Sequence, residues 1–334
     1  MNMQITDAQG LAFLRQQTHV LSNRAFEQEY DLINWRELVP INTDYPEWAS
    51  GVDFQIGDMT GAAQWQSGYS KDVPLADVRL ISVGIDFAMY AVGYRYNVEE
   101  VGKAQFAGYP LTARKAIAAR QSADIFCAET ALYGGGHPGW SGLTNMTGVT
   151  PTASPDNGTG SARNWVDANG VGQKTAEQIV AELNRLLMGP ASATGIMTSL
   201  IGNTILLPPL AYQYIATTPY GVTSPDKTIL QYFEANNIYT SRTGQPVVVR
   251  EQPFLAGAAT LDTPNLAGQG RAVGYRNSPD ALELPMPMTY RFLDVHQDGP
   301  LQWAIPGIGR VGQLVQIRDT IRYVDGVSPA PPAA

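Results

Sequence analysis

Between Pro110 and the triplet Gly134-Gly135-Gly136 runs LTARKAIAARQSADIFCAETALY, residues 111–133, with neither proline nor glycine inside it. A helix of that length is a rod of about 35 Å, so whatever else the chain builds must lie along it. Ala118, Ile125 and Leu132 recur every seven positions, with Ala128 between the last two. That is a narrow, alanine-rich apolar stripe suited to close packing against a sheet or a second helix. The single cysteine, Cys127, falls inside this helix and reads as a packed apolar residue. One cysteine excludes an internal disulfide framework and favours a reducing compartment. The glycosylation sequons at Asn145 and Asn157 are then chance matches.

The rest of the chain is cut into shorter pieces by 33 glycines and 23 prolines in 334 residues. Residues 54–96 read as β-structure around a long polar middle, QIGDMTGAAQWQSGYSKDVPLADVRL, followed by LISVGIDFAMYAVGYRYNV. Hairpin tips of that length are uncommon in a compact domain and tend to be functional or to reach a partner. Residues 1–50 read as an extended arm. Its stretch QGLAFLRQQTHVL places Leu11, Leu14 and Leu21 with Phe13 at near-helical spacing, yet the arm has little core of its own. Asn97 with Glu100 forms a cap for VEEVGKAQFAG, and Thr175 with Gln178 heads a helix through Ile179, Val180, Leu183, Leu186 and Leu187. NTILLPPLAYQYI predicts a buried strand leading into a helix, and Ser224-Pro225-Asp226 the start of another. PVVVREQPF, GRAVGYR, MTYRFLDVH and QLVQIRDTIRYVD read as strands, and SPAPPAA as a low-complexity tail. The fold class is α+β.

Catalytic and binding signatures fail one by one. The net charge of −8, with five scattered lysines, lacks the basic patch of a chain that grips nucleic acid. No apolar run approaches membrane-spanning length, and the opening residues lack the pattern of a secretory signal. GIGRVG, residues 307–312, has the G-x-G-x-x-G spelling of a dinucleotide turn. Pro306 precedes it, a strand-like run follows it, and too little chain remains for the helix, second strand and ribose-binding acid. It reads instead as a glycine-rich turn delivering the last strand to the domain of the 111–133 helix. His19, His137 and His296 are far apart and unpaired by any metal-ligand spacing. Ser141 in GWSGL lacks a nucleophile elbow's second glycine, Glu99-Glu100 are cap residues, and Trp65, Trp140 and Trp303 stand without basic clusters. No catalytic residue, metal or cofactor is expected.

What remains is architectural, and here the chain resembles tailed-phage major capsid proteins of the Hong Kong 97-type fold, in the branch similar to encapsulins. The resemblance is carried by GDMTGAAQWQSGYSKDVPLADV (57–78), YRYNVEEVGKAQFAG with the 111–133 helix, GWSGLTN (139–145), NTILLPPLAYQYI and the long stretch from LPMPMTYRF to IRYVDGV. It implies an N-terminal arm (1–50), an extended β-hairpin loop (51–96), a peripheral domain (97–145 and 276–327) with spine helix 111–133, an axial domain (146–275) and a disordered tail (328–334). The loop would lie over an adjacent subunit and the arm would clasp another, with Leu11, Leu14, Lys71, Asp72 and Pro74 as assembly contacts. Lys71 is the kind of lysine any solvated loop carries, so covalent cross-linking is not expected.

By the same resemblance the chain would assemble with itself as pentamers and hexamers into an icosahedral head enclosing double-stranded DNA. A separate scaffold, a portal and, in some members, a decoration protein are further partners. The expected place is the virion, assembled in the bacterial cytoplasm. An encapsulin-type nanocompartment shell is the alternative of the same fold, and a nicotinamide-binding oxidoreductase the alternative of another class.

Overall fold

A computed structural model of the chain describes residues 34–60, 65, 75–106, 111–188, 200–221, 224–262 and 265–331. The expected helix spans Leu111–Tyr133 and lies against a four-stranded antiparallel sheet in the order Met288–Phe292, Gly307–Gly312, Asp77–Ala91, Gly51–Thr60. Tyr90 of this sheet packs on Phe126 with ring centroids 5.1 Å apart, and the Cys127 thiol donates to the Tyr90 hydroxyl at 3.3 Å. The buried helix face is Ala119, Ala123, Cys127 and Ala131, at i, i+4 spacing. This differs from the expected stripe: Ala118 and Ile125 are exposed, and only Ala128 and Leu132 of that set are buried. Ala118 lies about 100° round the helix from Ala119, which is enough to turn it away from the sheet. The stripe is therefore exposed at Ala118 and Ile125 and covered only towards the end of the helix, at Ala128 and Leu132.

The spine helix ends because three successive glycines adopt left-handed backbone, with φ of 86°, 59° and 70° at Gly134, Gly135 and Gly136. Their first two amides return to Thr130 O and Glu129 O, the usual glycine termination. The chain then doubles back, and GWSGLTN closes the helix. Leu143 N reaches Ala131 O at 2.9 Å, Thr144 N reaches Leu132 O at 3.0 Å, and the Asn145 amide donates to Tyr133 O at 3.1 Å. These are carbonyls that a helix end otherwise leaves unsatisfied.

A second, five-stranded sheet has the order Thr152–Ala153, Arg322–Ser328, Gly270–Tyr275, Thr204–Leu207, Val248–Glu251. Its core joins Trp165, the helix Ala176–Met188 (through Ile179, Leu183 and Leu187), Ile205, Leu207 and Phe233. Gly270–Tyr275 is buried along its whole length, which is why it reads as a continuous apolar run rather than an alternating one.

Several expectations change. Arg322–Ser328 runs inside this sheet between Thr152–Ala153 and Gly270–Tyr275, rather than beside the spine helix. Tyr323, Val324 and Val327 are all buried, so both of its faces are covered. The run expected as one strand over 313–325 breaks into Val315–Gln316 and Arg322–Ser328, where Asp319 takes the Arg322 guanidinium at 2.6 Å. Ser224–Thr228 is a strand paired with Pro219–Gly221, and the helix begins at Ile229 because Thr228 and Gln231 form a reciprocal capping box. Asn97 caps Val98–Phe106 through Glu100 N at 2.7 Å, but the Glu100 carboxylate turns to Lys115 at 2.8 Å. Of the expected arm, residues 1–33 lie outside the described residues. Trp35, Leu38 and Val39, in contrast, are buried within the chain itself, and Ile41–Asn42 pairs in parallel with Leu282–Pro285.

Candidate assembly surface

The hairpin strands Gly51–Thr60 and Asp77–Ala91 pair in unbroken register from Gly51↔Asp86 to Thr60↔Asp77. Only residues 87–91 of the second strand are also flanked by Gly307–Gly312, so the outer part is a two-stranded ribbon. An isolated ribbon of two strands is marginal in water. This one nevertheless exposes Val78 (53%), Leu80 (62%) and Val83 (42%), with Leu75 (87%) and Trp65 (105%) at its outer end. Apolar side chains gathered like this on a projection mark an interaction surface rather than scattered exposure.

A second patch is the outward spine face. Ile117 and Ile125 are exposed there with Ala118, Gln121 and Ser122, and Arg120 and Asp124 border Ile117. A third patch lies beside the sheet formed by His296–Gly299, Gln302–Ile305 and Tyr94–Asn97, where Val98 N bonds Leu301 O and both side chains are exposed. Around these patches the ion pairs are surface pairs: Arg36–Asp124 at 2.7 Å, Arg291–Glu47 at 3.0 Å and Arg318–Asp280 at 3.1 Å. Each contributes little to subunit stability.

The expected contacts Leu11, Leu14, Lys71, Asp72 and Pro74 lie outside the described residues, as does His19. Among the described residues no group of three or more His, Cys, Asp or Glu could hold a metal ion. His137 stacks on Trp140 at 4.2 Å, and His296 lies on a separate edge strand. Ser141 is buried and held by Gln313 at 2.9 Å. Burial pushes up both the Cys127 thiol and the Tyr90 hydroxyl, the reverse of what a nucleophile or acid needs. The nearest thing to a nucleophile–base pair is Ser154 with Lys174 at 2.8 Å. Both are sealed from solvent, and Lys174 is ion-paired with Glu182, which also accepts Trp165 Nε1 at 2.7 Å. Burial pulls the Lys174 ammonium below its ordinary range. This network pins the 154–174 segment to the helix Ala176–Met188 and offers a substrate no access.

GIGRVG is a strand, not the expected turn. Gly307–Gly312 runs between Met288–Phe292 and Asp77–Ala91, with Gly309 opposite Tyr90 and Gly312 opposite Phe87. A Cβ on Gly309 would stand 2.5 Å from the Tyr90 ring, and one on Gly312 would stand 2.8 Å from Phe87 and Pro285. Gly307 lies beneath Tyr290, whose hydroxyl donates to Val92 O at 2.7 Å. The three glycines are a bed for three aromatic rings, glycine answering aromatic across strands. No helix follows among the described residues, which removes the dinucleotide reading. Gly309→Val is expected to displace the Tyr90 ring and destabilise the subunit by about 2–3 kcal/mol through overpacking. Thermal melts check this, and an unchanged melt contradicts the stacking account.

A long helix along an antiparallel sheet, a second buried mixed sheet and a projecting ribbon with exposed apolar side chains make up the Hong Kong 97-type fold of the phage capsid structures to which the chain is similar. The chain matches the family model described as Major capsid protein over residues 61–327, and it belongs to that family. It is therefore a structural capsid shell protein. Among solved structures it is similar to a chain in the capsid of Myoviridae phage XM1, at 14% identity over 94% of this chain and 98% of that one, with a TM-score of 0.73. A Gordonia phage Cozz chain (12% identity, 98% and 96% covered, TM-score 0.58) and the capsid of an empty GTA particle (10%, 98% and 100%, TM-score 0.57) are also similar. No curated protein matches it.

Proposed function

We propose that the chain is the repeating subunit of an icosahedral phage head, self-assembling as pentamers and hexamers into a non-enzymatic container for double-stranded DNA. The observation that carries this reading is the ribbon 51–60/77–86, whose exposed apolar residues find no cover among the described residues. In this reading the ribbon lies over an adjacent copy, and the N-terminal arm, with Leu11 and Leu14, clasps another. Lys71, Asp72 and Pro74 make contacts at the ribbon's tip. The spine helix and four-stranded sheet form the peripheral unit; the five-stranded sheet with its helices forms the axial one. The similarity to a GTA capsid computed with C5 symmetry supports the fivefold assembly.

The acidic balance, −8 overall, suits an enclosure that does not hold phosphate tightly, so DNA can slide during filling. A separate scaffold, a portal and a decoration protein would act at stages a pure shell subunit does not cover. The product resides in the virion after assembly in the bacterial cytoplasm. Sedimentation velocity of the purified protein, with and without a co-expressed scaffold, tests the reading. Particles sedimenting far ahead of the 36.1 kDa subunit are expected, and a subunit-sized boundary at every concentration contradicts it.

A further inference from the structure

The two edges of the five-stranded sheet are open and oppositely charged. At one edge, Val248–Glu251 pairs only with Thr204–Leu207 among the described residues. Val248 N and Gln252 N turn inward to Asn203 O and Leu207 O, so the backbone groups of Val249 and Glu251 face outward, as alternate residues do in a parallel ladder. A groove of about 570 Å³ runs along this edge, lined by Tyr212, Glu234 and residues 247–251. Arg250 is engaged by Glu37 at 2.7 Å. Glu234 and Glu251 are exposed and have no ion pair among the described residues, which leaves the edge acidic.

At the other edge, Thr152–Ala153 is two residues long and covers only Val324 and Asp325 of its neighbour. The start of that neighbour, Arg322–Tyr323, borders a second groove of about 280 Å³ that also includes Val149 and Arg185. Arg322 is engaged by Asp319 at 2.6 Å. Arg185 is exposed and has no ion pair among the described residues, which leaves this edge basic. Val248 on one side and Val149 on the other add apolar surface to each groove.

We propose that copies of this chain join head to tail through these grooves, the acidic Val248–Glu251 edge of one copy seating against the basic Arg185 edge of the next. Two different patches at opposite edges of one sheet make a heterologous contact, which closes into a ring when the rotation per copy allows. Complementary charge sets the order and direction of joining. The inference rests on the shell reading and identifies the contact that would organise each pentamer and hexamer around its axis.

Charge reversal tests it. Glu234→Lys with Glu251→Lys reverses the acidic edge, and Arg185→Glu reverses the basic one. Each variant is expected to lower the yield of sedimenting particles roughly tenfold or more, because like charges are then juxtaposed. Combining all three substitutions restores assembly to within about twofold of the parent, and raised salt narrows the differences. Thermal melts of the unassembled variants report whether they fold. Should one not fold, a chain carrying Glu251→Cys and Arg185→Cys decides the matter when treated with a short bis-maleimide after assembly. A covalent ladder ending at five and six copies supports the contact, and its absence overturns it. Reversed variants that assemble like the parent, or a combination that fails to recover, overturn the edge pairing and leave the shell reading standing. A parent protein that forms no particle overturns the shell reading, and the edge contact falls with it.

Discussion

Asp325→Ala is expected to destabilise the subunit by about 3–5 kcal/mol, the usual penalty for stripping one partner from a buried ion pair. Asp325 is fully buried and Arg271 nearly so, and the guanidinium grips the carboxylate with Nε at 2.6 Å and Nη2 at 2.9 Å. Four of the five guanidinium N–H groups are used. Arg271 Nη1 donates to Thr144 O at 2.9 Å and Nη2 to Thr260 Oγ1 at 2.7 Å, while Asp325 accepts Thr260 N and Leu261 N. The guanidinium also lies 4.7 Å over the Tyr323 ring. One pair therefore ties the turn after the spine helix to two strands of the second sheet and to the loop at 260. Against a typical total of about 5–15 kcal/mol, its loss lowers Tm by roughly 5–15 °C. Arg271→Lys keeps the charge but not the fork and falls between the parent and the alanine variant. The double change Arg271→Met/Asp325→Leu recovers part of the loss, because no charge is left buried alone. A Tm within about 2 °C of the parent for Asp325→Ala contradicts this role.

Removing residues 57–76 is expected to abolish assembly while leaving a folded subunit. The deletion takes away the outer end of the first ribbon strand and the exposed Trp65 and Leu75, and joins residue 56 to Asp77. The inner register, from Gly51↔Asp86 to Gln55↔Ser82, and the contacts of Phe87 and Tyr90 with the core remain. Trp65 and Leu75 are exposed, so the melting temperature is expected to move by only a few degrees while particle yield falls to background. A deletion variant that unfolds places the segment in the subunit core, and one that still forms particles removes the ribbon from the account.

How far the sequence foretold this structure differs from element to element, for physical reasons. The spine helix was legible to the residue, because Pro110 and Gly134–Gly136 are local signals that tertiary context cannot override. The hairpin was legible from strand composition on either side of a polar tip. The direction of the spine's buried face was not, since an alanine-rich helix carries weak contrast between its sides and a rotation of about 100° per residue exchanges a buried stripe for an exposed one. The glycines of 307–312 misled because glycine commonly marks turns; here they clear space for Tyr90, Phe87 and Tyr290, which arrive from strands far away in sequence. Residues 34–39 escaped as core for a related reason, their cover coming from Tyr275 and Asn277, which bond Leu38 O and Glu37 O. The Arg271–Asp325 clasp did leave a trace, a single charge inside each of the apolar runs GRAVGY and YVDGV. Their pairing, across 54 positions, needed the fold.

Electron cryo-microscopy of the purified protein at high concentration, alone and with a co-expressed scaffold, tests the central claim most directly. The account predicts closed shells tens of nanometres across, with fivefold vertices and the 51–91 hairpin of each copy lying over a neighbour. Dispersed single subunits under every condition would contradict it.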